Sequence, residues 1–232
     1  MDRPVTLVTG ARKGLGRALA EHYVALGHEV VGCSRKPAEW DHPRYRHVLA
    51  DVAVDADMRR VVGEVRKAFG KLDNLIANAG VAAMNHALLT PASAVDRLLS
   101  TNVTGTFVAA RESAKLMKRA DYGRIVTLST VAVPLKLEGE AAYVASKAAV
   151  VGLTQVLARE LAEFGITVNA LGPTPIRTDL IRGVPEAAID RLVARQAIPR
   201  LGTFADVVNV TDFFLRPESA FVTGQCIYLG GV

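Results

Sequence analysis

Cysteine is nearly missing from this sequence. Cys33 and Cys226 are the two present, far apart, with no C-x-x-C pair and no histidine placed to complete a zinc site. That pattern excludes a disulfide framework and a cysteine-held metal, and reads both as small buried hydrophobes. Long apolar runs are missing as well, so nothing reads as a membrane span and no membrane partner is expected. No apolar leader follows Met1-Asp2-Arg3-Pro4; a strand begins at once, which argues for a cytosolic address. Neither sign of charge dominates, with 28 Lys and Arg against 23 Asp and Glu. The basic residues are scattered, with local groups only at Arg12-Lys13 and Lys115/Lys118/Arg119, so no nucleic-acid face is expected. Repeats, low-complexity tracts and breaks in composition are absent too. Half of the residues are hydrophobic, enough to close one core, and residues 1–232 are expected to form a single α/β domain.

What the sequence does have is alternation. Short apolar runs predict strands at 5–9, 29–33, 46–50, 72–78, 124–128, 166–171 and 226–229. Between the first two, Leu15, Leu19, Tyr23 and Leu26 share one helical face, and Gly27 ends it. Val61, Val62, Val65 and Phe69 mark an amphipathic helix over 58–69. Further helices are predicted over 92–118, 142–164 and 204–215. Pro173, Pro175, Pro185 and Pro199 make 172–200 an excursion from the core. Strands alternating with helices give right-handed crossovers and a Rossmann-type, doubly wound, seven-stranded parallel sheet with helices on both faces. Ligands of such sheets sit beyond the carboxyl ends of the strands, so the informative residues are those just after a strand.

Gly10, Gly14 and Gly16 occupy the first such turn, with Arg12, Lys13 and Leu15 among them. Residues without side chains let the backbone approach a pyrophosphate, and the helix that follows offers unpaired N–H groups. The spacing is not the G-x-G-x-x-G of the dinucleotide fingerprint, and a tight turn between strand and helix would look the same. The second strand ends at Cys33-Ser34-Arg35-Lys36. An NAD site favours a carboxylate there, for the ribose 2′-hydroxyl. A hydroxyl and a guanidinium suit a 2′-phosphate instead, so NADP(H) is the expected cofactor.

Tyr143 and Lys147 are four residues apart at the start of a predicted helix and share a face. A phenol titrates near 10 in water. A neighbouring ammonium favours its ionised form, and the pair could then protonate an alkoxide or deprotonate an alcohol.

These residues have company. Thr9-Gly10-x-x-x-Gly14-x-Gly16, Asn78-Ala79-Gly80, Asn102, Tyr143-x-x-x-Lys147, Ile166-Thr167-Val168-Asn169 with Pro173, and Phe221-Val222-Thr223-Gly224 occur in that order. Over essentially its whole length the chain resembles the short-chain dehydrogenase/reductases. The resemblance implies hydride transfer between NADP(H) and a carbonyl or alcohol carbon. Under it Tyr143 is the general acid/base, Lys147 lowers its pKa and bonds the nicotinamide ribose, and Asn102 holds a water in a proton relay. Asp51 and Val52 resemble the pair that contacts adenine. Asn78, Ala79, Gly80, Pro173, Ile176 and Thr178 complete the implied cofactor site. No metal is implied. The homo-oligomer that relatives form, a tetramer or dimer, would pair the helices over 92–118 and 142–164. Ala141, Ala142, Ala145, Ala148, Ala149 and Gly152 are small enough for close helix contact. They could equally pack on their own sheet.

The sequence also departs from the family. The catalytic serine belongs thirteen residues before the tyrosine, where this chain has Thr130, preceded by Ser129. A threonine hydroxyl can still hydrogen-bond a carbonyl oxygen, so Thr130 takes the polarising role and Ser129 is the lesser candidate. The usual Pro-Gly is Pro173-Thr174, Asn-Asn-Ala-Gly is Ala77-Asn78-Ala79-Gly80, and an Asp before the closing Gly-Gly is Leu229. The substrate mouth is expected at 81–86, 131–137 and 175–200, mostly apolar with few charges besides Arg177, Arg182 and Glu138, with 173–200 as a lid. That composition favours a small uncharged ketone or secondary alcohol as substrate. His86 reads as polar surface. One branch of the family, the 3-oxoacyl-[acyl-carrier-protein] reductases, shares every motif. Those enzymes need a basic docking face, and Asp121 and Phe164 occupy the places where arginines are expected. A third reading is a non-catalytic NADP sensor, which the retained Tyr143 and Lys147 disfavour.

Overall fold

The computed structural model describes residues 3–178, 181 and 183–232. Seven strands form one sheet in the order β3-β2-β1-β4-β5-β6-β7. They are β1 (Val5–Thr9), β2 (Glu29–Ser34), β3 (Tyr45–Leu49), β4 (Asn74–Ala77), β5 (Gly123–Leu128), β6 (Ile166–Gly172) and β7 (Cys226–Tyr228). Every pairing is parallel. The central strands β1, β4, β5 and β6 are buried at every residue, because helices cover both faces of a parallel sheet.

The alternation of side chains along a strand divides the core in two. Leu7, Leu75, Ile125 and Val168 face one way. They meet Val61 and Val65 of α2 (Asp55–Phe69), Val108 of α4 (Gly105–Met117) and Leu157 of α6 (Ala141–Glu160). Their neighbours Val8, Ile76, Val126 and Leu171 face the other way. They meet Leu19 and Tyr23 of α1 (Gly14–Ala25) and Val207 and Phe214 of α8 (Phe204–Leu215). Strand order reverses between β1 and β4, which opens a crevice at their carboxyl ends.

Three elements differ from the sequence expectation. The helix predicted over 92–118 is broken: α3 (Ala92–Leu99) runs into a π-helical turn at Ser100–Thr104 and only then into α4. One hydrophobic period spans both halves, so the bulge leaves no gap in the pattern. The excursion after β6 contains a helix, α7 (Glu186–Val193), that buries Ile189 and Leu192. Its prolines flank this helix: Pro185 is its N-cap, a position where the ring is tolerated. A short α5 (Ala132–Leu135) ends at Lys136, in the left-handed region with φ 52°. Arg182, expected at the substrate mouth, lies outside the described residues.

No run of the sequence is long and wholly apolar, yet α6 is long and apolar enough by length and composition to cross a membrane. It packs instead on β6, β5 and α3 and turns Ser146, Lys147, Val150, Thr154 and Leu157 inward. Cys33 is buried as expected, whereas Cys226 is half-buried.

Candidate active site

A cleft of about 1450 Å³ runs along the carboxyl ends of β1, β2, β4, β5 and β6. Its floor is the turn after β1. Gly10 and Gly14 have φ of 70° and 57°, values an L side chain disfavours. A Cβ on Gly16 would overlap the Gly10 carbonyl and the Asn78 side chain. Asn78 Nδ2 in turn donates to the Thr9 carbonyl at 2.9 Å, and Ala79 N donates to Thr9 Oγ1 at 2.9 Å. The result is a bare backbone cradle braced from β4. The first turn of α1 has no acidic residue and its N-cap, Lys13, makes no side-chain cap, so helix-end N–H groups face the cleft. That is the environment a pyrophosphate needs. Leu15 lines the same stretch.

At the β2 end stand Arg12, Lys13, Ser34, Arg35 and Lys36. Arg12 is ion-paired with Glu39. Ser34 Oγ donates to the Lys36 carbonyl at 2.6 Å and lies 2.9 Å from His47 Nε2. His47 Nδ1 is 2.6 Å from the Tyr45 hydroxyl. Nothing in the sequence points to His47, because β3 reaches Ser34 only through sheet pairing. Asp51 and Val52 line the next stretch. Asp51 Oδ1 accepts from Ala53 N at 3.0 Å, which fixes the turn that carries both.

The reactive groups are on β5 and α6. Lys147 is buried, and its Nζ donates to the Leu128 carbonyl at 2.7 Å. Burial pulls its pKa down to about 8. Tyr143 lies one turn before it, half-buried in the cleft. Burial pushes the phenol up to about 12, the neighbouring Glu140 carboxylate adds to that, and a hydrogen bond with Thr130 opposes both. The free site thus holds a protonated tyrosine. The lowering expected from Lys147 is not among the influences on the phenol.

The structure separates the two hydroxyl candidates. Thr130 joins Tyr143. Ser129 Oγ points to α6, donating to the Lys147 carbonyl at 3.3 Å, and contacts Tyr228. Asn102 is fully buried in the π-helical turn and does not line the cleft. Its Nδ2 donates to the Val81 carbonyl and to Ser146 Oγ, each at 2.9 Å, while Oδ1 accepts from Val81 N at 2.8 Å. Ser146 Oγ passes the chain on to the Tyr143 carbonyl at 2.7 Å. Both amide hydrogens of Asn102 are thus used within the protein. Gly80 lies between Asn102 and Lys147: a Cβ there would stand 3.3 Å from Asn102 Oδ1 and from Lys147 Nζ.

Pro173, Thr174, Ile176 and Thr178 roof the cleft. Thr174 Oγ1 is hydrogen-bonded to Gln196 Oε1, tying the end of β6 to the far side of the excursion. A parallel bridge pairs Ile176 with Gly202, and Ile198 N donates to the Gly230 carbonyl at 3.0 Å. The substrate end combines apolar Met84, Leu135, Leu137, Val184 and Leu192 with more charge than the sequence suggests, since Lys136, Glu140, Arg191 and Arg195 join Glu138 there while Arg177 does not line the cleft. His86 is exposed, does not line the cleft, and caps a 3₁₀ turn by accepting from Leu88 N at 3.3 Å.

A parallel sheet whose switch point opens onto a backbone cradle on one side and a buried phenol on the other is the build of a nicotinamide-dependent oxidoreductase. Comparisons with known proteins agree. A family model described as enoyl-(acyl carrier protein) reductase matches residues 10–231. The chain belongs to the short-chain dehydrogenase/reductase family. It is 30% identical over 233 residues to the 3-oxoacyl-[acyl-carrier-protein] reductase of Escherichia coli (strain K12), covering 98% of this chain and 96% of that protein. It is 32% identical over 235 residues to the enzyme of the same name from Staphylococcus aureus (strain Mu50), covering 97% and 96%. Aldohexose dehydrogenase of Thermoplasma acidophilum superposes with a TM-score of 0.89 at 28% identity, covering 99% of this chain and 93% of that one. Levodione reductase superposes with 0.89 at 25% identity, covering 100% and 97%.

Proposed function

We propose that the chain is a cytosolic NADP(H)-dependent carbonyl reductase that also runs as an alcohol dehydrogenase, acting on small ketones or secondary alcohols. The observation that carries this reading is the Tyr143 phenol, with the Thr130 hydroxyl acting on it, in the same cleft as the glycine cradle. Gly10, Gly14, Leu15 and Gly16 would hold the pyrophosphate, and Asp51 and Val52 the adenine. Arg12, Lys13, Ser34 and Arg35 would hold the 2′-phosphate. Asn78, Ala79, Gly80, Lys147, Pro173, Ile176 and Thr178 would hold the nicotinamide half. When bound, the dinucleotide supplies or accepts the hydride.

The protein's own part is proton chemistry and polarisation. Tyr143 and Thr130 present two hydroxyls to one point in the cleft. A carbonyl oxygen there gains negative charge as its carbon is reduced, and donors already in place stabilise that charge. Tyr143 then gives up its proton to the alkoxide, which its protonated resting state permits. Lys147, buried one turn further along α6, would bond the nicotinamide ribose. In the reverse direction the phenolate takes the alcohol proton.

A second reading, reduction of a 3-oxoacyl thioester on an acyl carrier, is favoured by the relatives of that name at 30% and 32% identity. Against it, exposed Asp121 and half-buried Phe164 replace the expected docking arginines. Oxidation of NADPH by a panel of simple ketones and diketones, set beside an acetoacetyl thioester, decides between them. Loss of all turnover in Tyr143→Phe, with dinucleotide binding retained, is the expected control. Unchanged turnover in that variant would overturn both.

We propose also that copies of the chain associate through α6. Ala141, Ala145, Ala148, Ala149 and Gly152 are exposed rather than packed on the sheet, leaving a face of small residues on which a second α6 can approach closely. Sedimentation at micromolar concentration tests this, and a monomer would exclude it.

A further inference from the structure

Glu140 stands three residues before Tyr143, at the N-cap of α6, and lines the cleft. Three ordinary roles for a glutamate at such a place fail. It does not cap its own helix, since the N-cap makes no side-chain hydrogen bond. It joins no ion pair among the described residues, although Arg195 and Arg191 line the same cleft; Arg195 spends its Nη2 on the Leu135 carbonyl at 2.6 Å. Nor is it a solvated surface carboxylate, being only 9% exposed.

A largely buried carboxylate with no protein partner is unfavourable, and the oxygens of this one are not sealed from the cleft that it lines. Burial alone pushes this one above its ordinary range. Polar groups that face a ligand cleft without a protein partner are satisfied by water until a ligand with a matching donor takes its place.

We propose that Glu140 is a specificity-determining residue that accepts a hydrogen bond from a donor, hydroxyl or ammonium, carried by the substrate next to its reacting carbonyl. The inference rests on the reductase reading and narrows it. The Glu140 carboxylate is near enough to act on the Tyr143 phenol, so with the carbonyl oxygen held by Tyr143 and Thr130 it would face the adjoining carbon. The apolar residues Leu135, Leu137 and Leu192 would take the rest of the substrate. A negatively charged substituent at that carbon is disfavoured by the same carboxylate, and a plain alkyl group leaves it unpaired.

The test uses three ketones of one shape: 1-hydroxy-2-butanone, 1-amino-2-butanone and 3-pentanone. Values of kcat/KM are compared between the wild type, Glu140→Gln and Glu140→Leu. Taking the ratio to 3-pentanone in each protein removes the ketones' intrinsic reactivity. Glu140→Leu should lower both donor-ketone ratios by about tenfold or more. Glu140→Gln should keep the hydroxyketone ratio and lose the aminoketone ratio, which also decides between the two donors if Glu140→Leu fails to fold. Ratios unchanged in both variants would overturn the proposal, whatever happens to absolute rates.

If the wild type reduces no ketone, the reductase reading fails by itself. Calorimetric binding of 1,2-butanediol against 3-pentanol to the protein mixed with NADP⁺ then decides. A diol preference lost in Glu140→Leu upholds the role of Glu140, and no preference in the wild type overturns it.

Discussion

Lys147 Nζ donates a hydrogen bond to the main-chain carbonyl of Leu128 at 2.7 Å, on a side chain only 6% exposed. The last residue of β5 thus holds the ammonium of α6 in place, beside the strand end that carries Thr130. That carbonyl cannot be found by inspecting side chains along the sequence.

The burial of that ammonium carries a stability penalty. Burial lowers Lys147 from 10.5 to about 8. Below pH 8 the folded chain carries a charge that burial disfavours. Between pH 8 and 10.5 the unfolded chain still binds the proton while the folded chain has released it, so stability rises with pH across that window. Lys147→Met should therefore be more stable than the wild type at pH 7 by about 1–3 kcal/mol, and should lose turnover. Urea denaturation at pH 7 and pH 10 measures it. The difference should shrink at pH 10, and a variant that is less stable at pH 7 would show that Lys147 is not under strain.

Among the described residues Thr130 is the one that lowers the Tyr143 phenol, against burial and Glu140. Removing its hydroxyl raises the phenol further, so less phenolate is present at a given pH. Thr130→Val should move the alkaline rise of alcohol oxidation to higher pH and cut kcat/KM by about 10²-fold. Thr130→Ser should restore most of both, since it returns a hydroxyl at the same position, whereas Ser129 Oγ is engaged by the Lys147 carbonyl. A pH profile of alcohol oxidation for the three proteins checks the sign, and a shift to lower pH in Thr130→Val would contradict the hydrogen bond.

Much of this architecture is readable from the chain. The seven strands lie within two residues of the runs that predict them, most plainly β1, β4, β5 and β6, because strands buried on both faces are near-continuous apolar segments. The glycine turn, Arg35, Tyr143 and Lys147 all fall in the cleft. What escapes sequence reading depends on register or on the third dimension. The π-helical turn at Ser100–Thr104 keeps a helical apolar pattern on either side, so periodicity runs straight through it. α7 hides between prolines. His47 meets Ser34 only because β3 pairs with β2. Glu140 looks like any glutamate at a helix start until its lack of partners is seen.

The π-helical turn has a testable use. It directs Asn102 onto Val81 and, through Ser146, onto the Tyr143 carbonyl. Asn102→Leu would leave the Val81 N–H and C=O buried or half-buried without partners, at about 2–4 kcal/mol. Thermal denaturation should show that loss, and the surviving fold should lose kcat more than it raises KM, because the first turn of α6 loses its brace. Equal stability to the wild type would mean that water replaces all three bonds.

On the proposed NADP(H) reading, the choice of dinucleotide would turn on the guanidinium groups of Arg35, after β2, and Arg12, after β1. Arg35 is exposed at the cleft edge, and a phosphate contact from such a group contributes about 1.5–3 kcal/mol. Arg35→Ala should therefore raise the KM for NADPH by about 10–100-fold and leave that for NADH nearly unchanged. Arg12 differs, because its guanidinium is bound to Glu39. An exposed ion pair of that kind contributes little to stability, so Glu39→Gln should release Arg12 at small cost to the fold. The freed charge, together with loss of a carboxylate near the 2′-phosphate, should lower the KM for NADPH while NADH stays the same. Steady-state kinetics with both dinucleotides at low ionic strength reads both variants. The two substitutions move the same constant in opposite directions, and a parallel change in NADH would place these residues outside the 2′-phosphate site.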